Sequence, residues 1–243
     1  SHFISKLDLI LTKTYVSKMY NYCRPNICEE SEKSFVDVKD IRHPLIEQLQ
    51  TNELYVTNDI CLGGNQEGNI KTNGVLLYGT NAVGKTSLIR AIGISVIMAQ
   101  AGMYVPCSSF SYKPYTAIFS RILGNDNLFK GLSTFAVEMS ELRTILKHSN
   151  DNSLILGDEI CRGTEEKSAN IIVAIMLELL ENSNTNFVTA THLHILSELP
   201  SVKNLKTVQA MHLSVEYDTD NEMLIYSREL REGQGEKYYG VQV

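Results

Sequence analysis

The sequence predicts an α/β fold with a mostly parallel central sheet flanked by helices, and three observations predict it. Short apolar runs alternate with longer, proline-free apolar stretches, the pattern of strands joined by crossover helices. One strand–helix junction, Tyr78 to Ile89, holds Gly79-Thr80-Asn81-Ala82-Val83-Gly84-Lys85-Thr86, which fits the G-x-x-x-x-G-K-[ST] spacing of a phosphate-binding loop. A second apolar run, Leu154-Ile155-Leu156-Gly157, ends in the adjacent carboxylates Asp158 and Glu159.

Taken in order, residues 1–22 carry Ile4, Leu7, Leu11, Tyr15, Val16 and Met19 at helical spacing, an amphipathic helix. Cys23 to Glu32 is a loop around Pro25. Phe35-Val36-Asp37-Val38 alternates as a strand does, and Arg42-His43-Pro44 breaks it before a short helix at Leu45–Gln50. Leu54-Tyr55-Val56 reads as a short strand, and 63–69 as a glycine-rich surface turn. Val75–Tyr78 is a buried strand and Ser87–Ala101 a mostly buried helix. Pro106 to Pro114 is a Ser-rich loop, and Tyr115–Leu123 a strand. Leu132–Lys147 is a helix, Ser153–Leu156 a buried strand, and Ala169–Leu180 a helix with a wide apolar face. Asn186–Ala190 is another buried strand, followed by a short helix at Ile195–Leu199. From Thr207 to Leu230 two alternating segments flank Asp218-Thr219-Asp220-Asn221, a hairpin signal. No internal repeat or low-complexity segment interrupts this order.

Composition sets the outer bounds. The chain has 243 residues, 43% hydrophobic and 21% charged, which suits one large α/β domain or two small ones. Its net charge is −6, and no run of Lys or Arg supplies the basic stripe that an autonomous DNA grip requires. The five cysteines form no C-x-x-C pair and no zinc pattern, which fits reduced thiols inside a cell, with the compartment open. There is no signal peptide and no apolar stretch of about 18 residues, so no membrane partner is expected. A start at Ser1 and an apolar end at Val243 read as an excised piece.

The chemistry follows from the residue types. Glycines let backbone N–H groups turn inward around phosphates, and the helix N-terminus adds partial positive charge. Lys85 reaches the β- and γ-phosphates, and Thr86 offers a hydroxyl to Mg²⁺. Strand ends beside such a loop hold metal and water, so Asp158 is expected at the Mg²⁺ shell and Glu159 at the attacking water. Ala190-Thr191-His192 closes the next strand, where a histidine can donate to a γ-phosphate; His194 competes for that role. Gly131-Leu132-Ser133-Thr134 opens a helix, and on physical grounds alone it serves equally as an ordinary cap.

Four motifs in this order and spacing, G-x-N-x-x-G-K-[ST], S-T-F-x-V-E-M, D-E-I-x-R-G-T and A-T-H, resemble the ATPase domain of the MutS mismatch-recognition family, a branch of the ABC-type P-loop NTPases. The resemblance spans nearly the whole chain. Asp8 to Pro25 resembles the end of the family's core helices, so 1–32 is expected as the end of a helical lever region and 33–243 as the ATPase domain. Arg42-His43-Pro44 and Asn58-Asp59 resemble the approach to the phosphate loop, and Tyr104-Val105-Pro106 follows the central helix. Tyr239-Gly240 resembles the stretch just before the C-terminal dimerisation helices.

The resemblance implies ATP and Mg²⁺ as ligands. Gly79, Thr80, Asn81, Ala82, Val83, Gly84, Lys85, Thr86 and Ser87 would bind nucleotide, and Thr86 and Asp158 the metal. Glu159, His192 and Lys85 would be catalytic. Ser133 and Thr134 would reach the nucleotide of an opposing subunit, with Asn81 facing the same interface. Tyr55 and Tyr226 fall where the family sets side chains against adenine; with 12 tyrosines in the chain, a core role suits either equally. A second MutS-like subunit, in a homo- or heterodimer, and mismatched duplex DNA, held by domains outside this chain, are the implied partners.

Two departures stand out. The family's G-P-N-M-G-G-K-S-T appears as Gly-Thr-Asn-Ala-Val-Gly-Lys-Thr-Ser, similar to the branch in giant viruses and octocoral mitochondria, and Cys161 stands where glycine is common. Neither removes a catalytic group. A transporter ATPase would carry L-S-G-G-Q where this chain has Leu132-Ser133-Thr134-Phe135. Relatives that process recombination intermediates usually lack the Val137-Glu138-Met139 found here. An ABC-type ATPase of recombination or chromosome maintenance is the remaining rival, and intact Lys85, Asp158 and Glu159 argue against a silent dimerisation module.

Overall fold

Strand β4 (Gly74–Tyr78) is buried along its whole length, because apolar side chains project from both of its faces. In this computed structural model, which describes residues 2–49, 54–64, 71–80, 83–122, 134–162, 164–218 and 223–235, β4 lies within a six-stranded sheet. Its neighbours are β6 (Ala117–Arg121), β7 (Ser153–Asp158), β8 (Asn186–Thr191), β9 (Val208–Leu213) and β12 (Leu230–Glu232), in the order β12-β9-β4-β8-β7-β6. Five strands run parallel; β12 pairs antiparallel with β9. The architecture is α/β with mixed sheets.

Alternation along β4 splits the core in two. Val75 and Leu77 face α3 (Lys85–Gln100) and a second sheet, packing with Leu88, Ile89, Ile92 and Val96. Leu76 and Tyr78 face α4 (Thr134–His148) and α5 (Glu166–Asn182), packing with Leu142, Val173, Leu177 and Phe187. That second sheet holds β1 (Asn26–Ile27), β2 (Phe35–Ile41), β3 (Asn58–Leu62) and β5 (Ser109–Lys113) in the order β1-β5-β2-β3; only β1–β5 is parallel. Register carries chemistry to one sheet end. Tyr78 pairs with Thr191 and His212, and Asp158 with Ala190, so the segments after β4, β7 and β8 emerge together.

At the opposite end β4 begins where no side chain fits. A Cβ on Gly74 would lie 2.0 Å from the ring of Phe187, which is fully buried. Gly74→Ala is expected to destabilise the fold by about 1–3 kcal/mol through overpacking. Urea unfolding checks this; an unchanged midpoint would show that the ring has room to move.

Several expected elements differ. The Ser-rich stretch 106–114 contains β5: Phe110 and Tyr112 point inward while Ser109 lies exposed on the outer face, so serines that suggest a loop belong to an alternating strand. Leu54-Tyr55-Val56 is not a strand. Leu54 is almost fully exposed, and the ladder partners of β2 start at Asn58. The segment from Thr207 is not one arm of a hairpin. It supplies β9 to the central sheet and then β10 (Glu216–Asp218), which pairs antiparallel with β11 (Met223–Ile225); residues 219–222 of the expected turn lie outside the described residues. The helix at 195–199 is a 3₁₀ turn, His194–Glu198, followed by the short α6 (Pro200–Lys203). Of the turn at 63–69, all but Gly63 and Gly64 lies outside the described residues.

The first helix, α1 (His2–Tyr20), buries none of its residues; Ile4, Leu7, Leu11, Tyr15 and Met19 are all exposed. Its C-terminal half is tied down by the Lys13 ammonium, which donates to the Gly102 carbonyl at 2.6 Å. No helix among the described residues is long and apolar enough to cross a membrane.

Candidate functional site

The loop between β4 and α3 places Lys85 beneath it. Gly84 precedes the helix at φ 111°, a left-handed conformation that favours glycine. Gly79 sits at φ 149°, where a Cβ would come within 3.0 Å of Val83. Lys85 is 5% exposed, and its ammonium donates to the carbonyls of Gly79 (2.6 Å) and Thr80 (2.9 Å). Burial lowers its pKa, while the Glu159 and Asp158 carboxylates act in the opposite sense. The Thr80 hydroxyl is buried without a hydrogen-bond partner among the described residues.

At the second residue of α3, the Thr86 hydroxyl donates to Asp158 Oδ2 at 2.7 Å, joining loop to carboxylate across the intervening strand β8. The other oxygen, Asp158 Oδ1, is buried and has no hydrogen-bond partner among the described residues. That is an acceptor aimed into the site with nothing to accept from, which suits a cation. Ser87 lies beside Gly84 and Leu88 on the wall of a cavity of about 210 Å³. Tyr55, Val56 and Arg228 line the same cavity. Burial raises the pKa of Tyr55, while the nearby His43 backbone acts in the opposite sense.

Beyond β7 the chain makes a tight turn. Glu159 (φ 48°) donates its N–H to the Ala190 carbonyl at 3.1 Å, and its Oε2 pairs with Arg162 at 3.0 Å. Cys161 (φ 65°) is buried, and its N–H donates to Glu138 Oε1 of α4 at 2.8 Å. The turn fits because residue 157 is glycine: a Cβ there would meet Ile160 and Thr189 at 2.7 Å.

Lys85, Thr86, Asp158 and Glu159 therefore converge, with the Lys85 ammonium set against the Gly79 and Thr80 carbonyls. His192 follows β8 at the same sheet end but is exposed, and no hydrogen bond joins it to those four among the described residues. His194 stacks on Tyr78, with ring centroids 5.9 Å apart, and lines a larger cavity of about 700 Å³ beside Gly79 and Thr80. Tyr226 is 36% exposed, and the cavity that Tyr55 lines is bordered instead by Arg228. Asn58 holds that segment in place: its amide donates to the Arg228 carbonyl (3.1 Å) and accepts from the Leu230 N–H (2.6 Å). Asn81, Ala82, Ser133, Tyr239 and Gly240 lie outside the described residues; Thr134 is the first helical residue of α4.

Sequence reading gave no role to Arg162, Arg228 or Glu138. The signal for Glu138 was present. It shares a helical stripe with the buried Leu142 and Ile145, so a carboxylate there has to find a donor inside the protein.

Comparison with known proteins meets this geometry. Residues 75–243 match the family described as MutS domain V. The chain is 42% identical over 245 residues to the mitochondrial DNA mismatch repair protein mutS homolog of Sarcophyton glaucum, covering 100% of this chain and 24% of that protein. A mutS homolog of Acanthamoeba polyphaga mimivirus is 37% identical over 273 residues, covering 100% and 24%. The DNA mismatch repair protein MutS of Microcystis aeruginosa is 36% identical over 243 residues, covering 98% and 26%. The chain spans about a quarter of the length of these relatives. With a phosphate-type loop, a hydroxyl–carboxylate contact and this match in one stretch of residues, the chain belongs to the MutS family and contains its domain V.

Proposed function

We propose that this chain is the ATP-hydrolysing domain of a mismatch-recognition protein, a P-loop NTPase of the ABC type. The observation that carries the reading is the 2.7 Å contact between Thr86 and Asp158, with Asp158 Oδ1 left unpartnered next to the buried Lys85. In the proposed division of the chain, 1–32 ends a helical lever and 33–243 is the ATPase domain. ATP turnover here would couple to mismatched-DNA binding by domains outside this chain. A recombination or chromosome-maintenance ATPase would share this chemistry and differ in the domains it drives.

The residues fit Mg²⁺ through the Thr86 hydroxyl and the Asp158 carboxylate; bound there, the ion would neutralise charge on the phosphate oxygens. Lys85 exchanges its two carbonyl acceptors for β- and γ-phosphate oxygens. Backbone N–H groups from Gly79 through Ser87, including Asn81 and Ala82, enclose the phosphates. Glu159 accepts a proton from water as the water oxygen attacks the γ-phosphorus. The bond to the β–γ bridging oxygen breaks, and ADP leaves with the electron pair. Arg162 engages one oxygen of Glu159, and the second oxygen is the one proposed to take the proton. His192 donates to the γ-phosphate. Adenine is assigned to the cavity lined by Tyr55 and Arg228, and Tyr226 is proposed as a second side chain against the base.

The site is completed by a second MutS-like subunit, whose helix start at Ser133 and Thr134 donates to the γ-phosphate across the interface. ADP offers no γ-phosphate, so ATP favours the dimer and hydrolysis releases it. Mixing Lys85→Ala chains with Ser133→Ala chains tests this. One site of a mixed dimer then carries both lesions and the other is intact, so part of the activity is expected to return. Mixed dimers that form without regaining activity would show that Ser133 does not act in trans.

A further inference from the structure

We propose that Glu138 is a positioning residue for Glu159: its carboxylate, projecting from α4, holds the Glu159–Cys161 turn in its left-handed conformation by accepting the Cys161 N–H. This rests on the hydrolase reading above and extends it to a residue that touches neither nucleotide nor water.

The turn has an unusual backbone. Glu159 and Cys161 both lie at positive φ, 48° and 65°, and neither is a glycine. A side-chain-bearing residue in that region is strained and persists only where its surroundings hold it. Two contacts do so. Upstream, the Glu159 N–H donates to the Ala190 carbonyl, so the residue is fixed to the end of β8. Downstream, the Cys161 N–H donates to Glu138 Oε1 at 2.8 Å, with Glu138 7% and Cys161 1% exposed. A buried N–H left unpaired is costly, so the bond is the reason the second half of the turn closes as it does.

Glu138 is itself held. On the same face of α4, Leu142 and Ile145 pack into the cluster that contains Ile160 and Cys161, so helix and turn share one core. The Arg121 guanidinium pairs with Glu141 at 3.0 Å and ties the helix to the end of β6. Burial and the nearby Glu138 carboxylate push the Cys161 thiol up to about 12, in keeping with a carboxylate against that residue. Among the described residues the Glu159 side chain pairs with Arg162, which is 57% exposed and belongs to the same turn. The orientation of Glu159 thus depends on a backbone whose downstream anchor is Glu138. Because α4 begins at Thr134, the same helix that would meet the opposing nucleotide also sets this anchor.

The test uses the 243-residue chain with two readouts. Glu138→Ala, and the volume-keeping Glu138→Met in case the smaller residue prevents folding, remove the acceptor; Glu138→Gln keeps one. Alkylation of Cys161, mapped by mass spectrometry, reports whether the turn has opened. Mg·ATP affinity and single-turnover hydrolysis report what that does to Glu159. Both acceptor-less variants are expected to alkylate at Cys161 faster than wild type and to hydrolyse about tenfold more slowly, the effect of one lost hydrogen bond, with ATP affinity unchanged. Glu138→Gln is expected to recover most of the turnover. Cys161→Gly in the Glu138→Ala background should also recover turnover, because glycine adopts φ 65° unaided. Faster alkylation with wild-type turnover would make Glu138 purely structural and overturn the proposal, as would unchanged alkylation. A wild-type chain that binds ATP and never hydrolyses it would instead sink the hydrolase reading, and the positioning role with it.

Discussion

Glu159→Gln is expected to bind Mg·ATP as tightly as the wild type and to lose turnover by about 10²–10⁴-fold, the contribution of a positioned general base. The amide is the same size, so the fold should tolerate it; what disappears is the ability to accept a proton. The ion pair with Arg162 at 3.0 Å is lost as well, but Arg162 is more than half exposed and water can solvate it. Phosphate release measured at saturating ATP, beside a titration with a fluorescent nucleotide, separates the two effects. A variant that hydrolyses like the wild type would remove Glu159 from the chemistry and turn attention to His192 or His194.

Lys85→Ala is expected to bind ATP at least about a hundredfold more weakly, since it loses charge-assisted contacts of roughly 1.5–3 kcal/mol each. The ammonium rests on the Gly79 and Thr80 carbonyls, at the loop proposed to hold the phosphates. Its burial opposes its own charge, so its removal should leave the fold intact. Thermal melts with and without ATP make the distinction. The wild type should be stabilised by nucleotide and the variant should not. Equal stabilisation of both would mean that the phosphates sit elsewhere.

Much of the site was legible because its parts are short-range. A glycine loop between strand and helix is specified within a dozen residues, and Asp158 and Glu159 are adjacent at the end of one apolar run. Legibility failed where residue type and role diverge. Ser109 and Ser111 suggest a loop, yet they alternate with Phe110 and Tyr112 in a strand. Leu54 is apolar and exposed; Tyr55 beside it lines the cavity. Arg228, to which sequence reading assigned no role, borders the same cavity, where Asn58 fixes the backbone.

The sequence by itself determined the buried strands and long helices of the central layer, the phosphate-type loop and the carboxylates, since periodicity and motif spacing act between near neighbours. Tertiary structure alone decided which of those pieces meet. Thr86 and Asp158 are 72 residues apart, and only parallel pairing through β8 brings them within 2.7 Å. Cys161 takes its left-handed backbone against Glu138, 23 residues earlier, because α4 packs on the same core as the turn. No local pattern specifies such contacts; they follow from burial, which requires each interior donor and acceptor to find a partner.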